Sequence, residues 1–172
     1  MKYAVVEREL RFLPTRPIDL SGAARVFQID DRYLIGTRLR VRTVREPGRA
    51  VVHKLGQKVR LAAAQPSSLA HTTLYLDEAE YALLAAHPAA TLSKTRHVLS
   101  QPAQHDVAVD VFHGDLSGLT LAEIDLGAGG TLSEALPSWL GDEVTDVEEF
   151  TGGALADLTR RQLAELLDRY QR

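Results

Sequence analysis

Polar and apolar side chains alternate with a period of two through most of the chain, and this pattern predicts β-strands. In the segment VERELRFL, one face of such a strand carries Glu7, Glu9 and Arg11. The other face carries Leu10 and Phe12, so the two faces differ sharply in polarity. A strand at the protein surface would show this pattern, and so would a strand that lines a charged cavity.

Eight segments have the composition and alternation of strands, and turn-forming residues separate them. The pair Asp30 and Asp31 is predicted to form one of these turns, and EPG at 46–48 is predicted to form a hairpin turn. The predicted strands are 2–13, 25–29, 32–42, 50–61, 69–76, 91–99, 106–112 and 118–126.

Two segments have the spacing of helices. Asp77 is a predicted N-cap for a helix that ends before Pro88. At the C-terminus, an apolar stripe predicts one helix at about 155–170. The fold class is therefore α+β, mainly β, in a single domain over 1–172. Eight antiparallel strands are enough to close a small barrel around a ligand, with the helices flanking it.

Composition and net charge exclude several classes of protein and of binding site. The 172 residues are 45% hydrophobic and 25% charged, as in ordinary globular proteins. The net charge of −3 gives no global electrostatic basis for binding nucleic acid or an anionic membrane. The absence of cysteine excludes disulfides and thiolate zinc sites. No signal peptide and no apolar run of about 20 residues is evident, so we expect a cytoplasmic protein without membrane partners.

Charges of one sign repeat at alternate positions, and acidic and basic pairs fall on separate strands. One interpretation is a set of solvated sheet faces. The other is a closed sheet with its charged faces inward and its apolar faces outward against the helices. Carboxylates in such an interior would hold Mg²⁺ or Mn²⁺, and the basic side chains would hold a polyanion. The basic sets are Arg40 with Arg42, Lys54 with Lys58 and Arg60, and Lys94 with Arg96; the acidic sets are Asp106 with Asp110, and Glu123 with Asp125.

A series of motifs occurs in a distinctive order along nearly the whole chain. ERELR comes first, LRVR and SKTRHVL follow, and then come VDVFHGDLSGLTLAEIDL and LPSWLGDEVT. In order and content, this series resembles the CYTH superfamily, the triphosphate tunnel metalloenzymes. The resemblance implies an antiparallel eight-stranded tunnel that binds a triphosphate with Mg²⁺ or Mn²⁺.

The resemblance also implies roles for residues. It favours metal-dependent hydrolysis of a small polyanion, a triphosphate. Inorganic tripolyphosphate is favoured over organic triphosphates because no base-recognition element is apparent in the sequence, and we expect a monomer or a homodimer. The implied catalytic residues are Glu7, Glu9, Glu123 and Asp125, and Asp110 joins these four as a metal ligand; the implied phosphate-binding residues are Arg11, Arg40, Arg42, Lys54, Lys94 and Arg96.

Three departures from the family pattern leave alternatives open. Arg11 replaces the usual lysine of the first motif, and Asp125 replaces the usual glutamate of the last acidic pair. Where many members carry a second Glu-x-Glu pair, this chain has His71 and Thr73. A catalytically weakened module that binds polyphosphate or a nucleotide is therefore an alternative to a hydrolase. An adenylyl cyclase is a third interpretation.

Overall fold

Nine antiparallel strands form one sheet in the computed structural model of the chain, which describes residues 4–60, 68–100, 105–127, 132 and 136–170. The mainly β, α+β class is therefore confirmed. The strands are β1 (Val5–Pro14), β2 (Arg25–Leu34), β3 (Leu39–Arg45), β4 (Val52–Arg60), β5 (Ser68–Leu76), β6 (Ala89–Leu99), β7 (Val107–Phe112), β8 (Thr120–Asp125) and β9 (Leu140–Glu143).

The strand order is β5-β4-β3-β2-β6-β7-β8-β1-β9, with an additional pairing between β5 and β1. This corrects the expected closed eight-stranded tunnel in two respects. A ninth strand, within LPSWLGDEVT, pairs with β1. The contact between β1 and β5 is confined to residues 5–8 of β1, whereas residues 9–12 pair with β8. The sheet is therefore not a barrel closed along the full length of its strands.

The predicted turn at Asp30 and Asp31 is wrong, because β2 runs through both residues. Asp31 is 1% exposed and accepts hydrogen bonds from Arg42 of the neighbouring strand. This tertiary contact overrides the local turn preference of aspartate. The chain reverses after Leu34 instead, at Gly36, whose φ of 77° suits glycine. The predicted EPG turn is confirmed, with Gly48 at φ 74°.

The first predicted helix is confirmed as α1 (Glu78–Ala85), which begins with a capping box between Asp77 and Glu80. The predicted C-terminal helix is two helices, α2 (Gly152–Ala156) and α3 (Arg160–Leu167). Thr159 separates them, because its side chain caps the N-terminus of α3. None of the helices in the described ranges is long and apolar enough to cross a membrane.

Apolar residues form two clusters, one on each face of the sheet. Leu10, Phe12, Val109 and Ile124 belong to the first, which Trp139 covers from outside. The second cluster joins the strands to the C-terminal helices. Its strand residues lie two positions along a strand from charged residues, so they share the face that carries the charges. These strand residues include Leu92, Phe112 and Leu121. The residues that cover them include Phe150, Leu155, Leu163 and Leu166.

The second cluster corrects the expected position of the helices. They were expected against the apolar outer face of the sheet. The first helix, α1, does lie there, with Tyr81 stacked on His53, but α2 and α3 pack on the face that carries the charges. They cover it where β6 and β8 begin and β7 ends. The same face is thus charged along its middle and apolar at one end, and the helices close that end.

Candidate functional site

Charged side chains from seven strands meet on one face of the sheet, here called the charged face. The sheet is strongly curled there, since side chains bridge strands that are not neighbours. Lys58 on β4 donates from Nζ to Glu9 Oε2 on β1 at 2.8 Å, over the intervening β5. Arg96 on β6 likewise bonds Glu123 on β8, over β7. Acidic and basic side chains from separate strands therefore converge on one face, in line with one of the two interpretations of the sequence pattern.

Asp110 is the centre of the most buried part of this network. Its side chain is 0% exposed and accepts a hydrogen bond from Lys94 Nζ at 2.5 Å. Arg96 donates two further bonds to the same carboxylate, each at 2.7 Å. Both oxygens of Asp110 are thus engaged by cations. Its suggested role as a metal ligand stays a prediction.

Glu123 connects this centre to β1. It accepts a bond from Arg11 Nε at 3.1 Å and another from Arg96. Burial disfavours its charge, but the neighbouring Arg96, Lys94 and Arg11 outweigh burial and hold the pKa of Glu123 well below its ordinary value. Glu123 therefore stays ionised within the network.

Asp31 organises the arginines of β3 and was not singled out as a site residue from the sequence. Arg42 binds it through two bonds of 2.6 and 2.7 Å. Arg40 approaches it less closely, with Nε 3.4 Å from Oδ1. Burial opposes ionisation of Asp31, yet Arg42 and Arg40 lower its pKa. Alternation along the strand was the signal available in the sequence, because Asp31 and Tyr33 are two residues apart and therefore share a face.

Tyr33 lies where the charged face meets the helices. Burial, reinforced by the charge of Asp31, raises the pKa of the Tyr33 hydroxyl, and the nearby Arg40 and Arg42 oppose that shift. Gly152 at the start of α2 packs directly on this side chain. A Cβ on Gly152 would lie 2.0 Å from the Tyr33 hydroxyl oxygen, so only glycine permits this approach.

Lys54 lies on β4, directly opposite Arg42 on β3 and Tyr75 on β5. Its Nζ lies 5.3 Å from the centroid of the Tyr75 ring. It forms no ion pair with any carboxylate in the described ranges. Tyr75 is 72% exposed, which places this pair at the open end of the charged face.

The remaining acidic candidates lie on β1 and β8. Glu9 and Asp125 occupy directly opposite positions in the ladder, and Asp125 is exposed at the end of its strand. An oxygen of Asp125 accepts a bond from the Gly127 backbone N–H at 2.8 Å. Glu7 pairs through its backbone with Leu69. The Glu7 side chain lies outside the described part of the structure.

His71 and Thr73 do occupy the charged face, as their alignment with the missing acidic pair suggested. They lie on β5 opposite Lys58 and Gly56. His71 Nε2 is 3.2 Å from Thr73 Oγ1. Gly56 and Lys58, like Asp31, contribute to the site but were not predicted as site residues. The alternation of side chains did indicate Lys58, because it has the same parity as Lys54.

The carboxylates and histidines of the described ranges include no group of three that is arranged to hold a metal ion. Most carboxylates of the charged face are matched to basic side chains instead. Glu9 and Asp125 occupy facing positions in the ladder, which put their Cβ atoms about 5 Å apart. Hard oxygen donors of this kind suit Mg²⁺ and Mn²⁺.

Comparison with known proteins gives similar solved structures. No family model matches the chain. No curated protein matches it either. A structure of the inorganic triphosphatase NE1496 is 25% identical, with a TM-score of 0.56, and the match covers 87% of this chain and 93% of that one. The fold is thus similar to that of an inorganic triphosphatase.

Two further solved structures have the same fold. Another structure of NE1496, described there as a hypothetical protein, is 23% identical with a TM-score of 0.58 and covers 89% of this chain and 99% of that one. The PH1819 protein from Pyrococcus horikoshii OT3 is 15% identical with a TM-score of 0.52 and covers 96% and 88%. At these identities the likeness concerns the fold alone.

Proposed function

We propose that the charged face binds a triphosphate and that the protein hydrolyses it, with inorganic tripolyphosphate as the favoured substrate. The observation that carries the proposal is the convergence of basic side chains from β3, β4 and β6 within one curled sheet. Similarity in fold to the inorganic triphosphatase NE1496 supports it. A polyanion supplies the negative charge that such a concentration of cations requires.

A divalent cation, Mg²⁺ or Mn²⁺, is part of the proposal. Glu9 and Asp125 would hold it, with Glu7 on the same strand as Glu9. Two facing carboxylates fit this role, since Mg²⁺ is commonly held by one or two carboxylates together with substrate phosphates. When bound, the metal would neutralise phosphate charge and activate a water molecule.

The basic residues would have two roles, binding the phosphate chain and stabilising charge during phosphoryl transfer. Arg40, Arg42 and Lys54 would bind and orient the phosphate chain, with the planar arginines offering paired donors to phosphate oxygens. Lys94, Arg96 and Arg11 are fixed by carboxylates and would stabilise charge that develops during phosphoryl transfer. Arg11 would not exchange a proton, because an arginine side chain stays protonated in proteins.

The test is phosphate release from tripolyphosphate, thiamine triphosphate and ATP, each with Mg²⁺ or Mn²⁺. We expect release from tripolyphosphate that depends on the metal. Glu9→Gln should lose at least about tenfold in kcat/KM, as expected for a lost charged interaction. Glu148→Gln, an exposed residue outside the charged face, is the matched control and should behave as the wild type.

A second candidate function is a module that binds polyphosphate or a nucleotide without turnover. The position of His71 and Thr73 on the charged face favours it, because neither supplies the carboxylate that many family members have there. Tight binding without phosphate release at either metal would support this module over the hydrolase. Formation of cyclic AMP from ATP would instead support a cyclase. Cytoplasmic location and a monomeric or homodimeric state stay predictions.

A further inference from the structure

Three adjacent strands of the charged face contain no carboxylate at all. Neither aspartate nor glutamate occurs in β3, β4 or β5, although these strands supply Arg40, Arg42, Lys54 and Lys58. We call this part of the face the basic wall. Among the described side chains, Asp31 on β2 and Glu9 on β1 are the carboxylates that form ion pairs with it, and both lie at its edges.

The centre of the basic wall lacks a side chain. Gly56 is a buried residue in the middle of β4, opposite Arg40 on β3 and Thr73 on β5. A Cβ built on Gly56 would lie 3.3 Å from Arg40 Nη2 and 3.3 Å from His71 Nε2. The two nitrogen-bearing side chains therefore converge on the space above this glycine. Glycine inside a strand often marks such a close approach.

Arg40 has hydrogen-bonding capacity that its protein neighbours do not use. Its Nε is buried and has no hydrogen-bond partner among the described residues. Asp31, the carboxylate beside it, is 3.4 Å away and already accepts two shorter bonds from Arg42. A buried guanidinium nitrogen without a partner is costly. An anionic oxygen placed beside Arg40 would remove that cost.

We propose that the space above Gly56, between Arg40 and His71, is a subsite for one phosphoryl group of the polyphosphate. In this proposal glycine at position 56 keeps the subsite open, because even a methyl group there would lie 3.3 Å from both Arg40 and His71 and occupy the space between them. The inference rests on the proposed function and deepens it, since it says where on the charged face one phosphoryl group is held. Thr73 lies beside His71 and adds a hydroxyl to the rim of the subsite.

Gly56→Ala tests the subsite. The added methyl meets only the ends of two flexible side chains, so we expect the fold to be retained. Binding of tripolyphosphate, measured by calorimetry without metal so that no turnover occurs, should weaken by about tenfold or more, as for a lost charge-assisted hydrogen bond. Gly22→Ala is the matched control, because nothing lies within 4 Å of its Cβ position. This control should bind as the wild type.

A double variant shows whether position 56 acts through Arg40. If it does, adding Gly56→Ala to Arg40→Lys should weaken binding by less than about threefold, because the interaction is already impaired. Independent effects that multiply would overturn the proposal, as would wild-type affinity in Gly56→Ala. If Gly56→Ala does not fold, His71→Gln decides, with weaker binding expected and unchanged binding contradicting the subsite.

The subsite and the proposed function fail in different ways. Binding that is weakened by Gly56→Ala in a protein that releases no phosphate would support the subsite and contradict the hydrolase. Phosphate release with unchanged binding in Gly56→Ala would do the reverse. A wild-type protein that does not bind tripolyphosphate at all would overturn both.

Discussion

The two sides of the charged face compensate their charges differently. On β6, β7 and β8, Lys94 and Arg96 are held by Asp110, and Glu123 joins Arg96 to Arg11. On the basic wall, Arg42 and Lys58 pair with Asp31 and Glu9 at its edges. Lys54, however, has no carboxylate among its described neighbours, and Arg40 lies 3.4 Å from an Asp31 that Arg42 already engages. One side is neutralised by the protein itself, and the other leaves positive charge for a ligand.

Because of this difference, we expect substitutions on the two sides to affect stability and ligand binding differently. Substitutions on the neutralised side should unfold the protein, because breaking a buried pair leaves a charge without compensation. Substitutions of Arg40 and Lys54 on the basic wall should weaken ligand binding and leave stability nearly unchanged.

Asp110→Asn should have the largest effect. It removes the buried negative charge that Lys94 and Arg96 share, so we expect a loss of about 3–5 kcal/mol in the free energy of unfolding. Chemical denaturation measures this loss. Asp106→Asn is the matched control on an exposed residue of the same segment and should change stability by less than about 0.5 kcal/mol. Equal stability of the two variants would contradict the account.

Gly152→Ala tests the packing of α2 against Tyr33, where the charged face meets the helices. The added Cβ would lie 2.0 Å from the Tyr33 hydroxyl oxygen, so overpacking should cost about 1–3 kcal/mol of stability. At Gly153 the nearest Tyr33 atom would be 3.7 Å away, an ordinary contact. Gly153→Ala should therefore be neutral or slightly stabilising, as alanine favours helices. Thermal unfolding of both variants distinguishes the positions.

Acidification should weaken the neutralised side gradually. Because the folded-state pKa of Glu123 lies well below its ordinary value of 4.5, its stabilising contribution is complete above about pH 4.5. The contribution is lost as the pH falls from 4.5 through the folded-state pKa. Tm measured against pH should therefore fall more steeply in this range for the wild type than for Glu123→Gln. Parallel curves for the two proteins would contradict this assignment.

Lys54→Gln should have the smallest effect on stability. Lys54 has no carboxylate partner in the described ranges, so we expect a change within about 0.5 kcal/mol in the free energy of unfolding. Affinity for tripolyphosphate should nevertheless fall several-fold, and the dependence of binding on salt concentration should become weaker. A large loss of stability without a loss of affinity would reverse the proposed roles of the two sides.

Alternation along the strands predicted much of this architecture. The faces of β1, β7 and β8 follow directly from their sequences, and the apolar faces of these three strands form the first cluster. The cap at Asp77 was also predictable, since a capping box is a local pattern. These features depend on residues close together in the chain.

Features that depend on distant residues were not predictable in the same way. Asp31 has a turn-forming sequence context, and only its partner Arg42 on another strand explains its place within β2. The position of α2 depends on the contact between Gly152 and Tyr33, which are far apart in the sequence. The role of Gly56 in the proposed subsite likewise depends on side chains from the two neighbouring strands. No local pattern reports such contacts.

The central claim is that the charged face binds a polyphosphate on its basic wall. Calorimetric titration of tripolyphosphate into the wild type and into Arg40→Gln tests it most directly. The account predicts binding of one molecule per chain to the wild type and affinity at least about tenfold lower for a folded Arg40→Gln protein. No binding to the wild type, or equal affinity for both proteins, would contradict it.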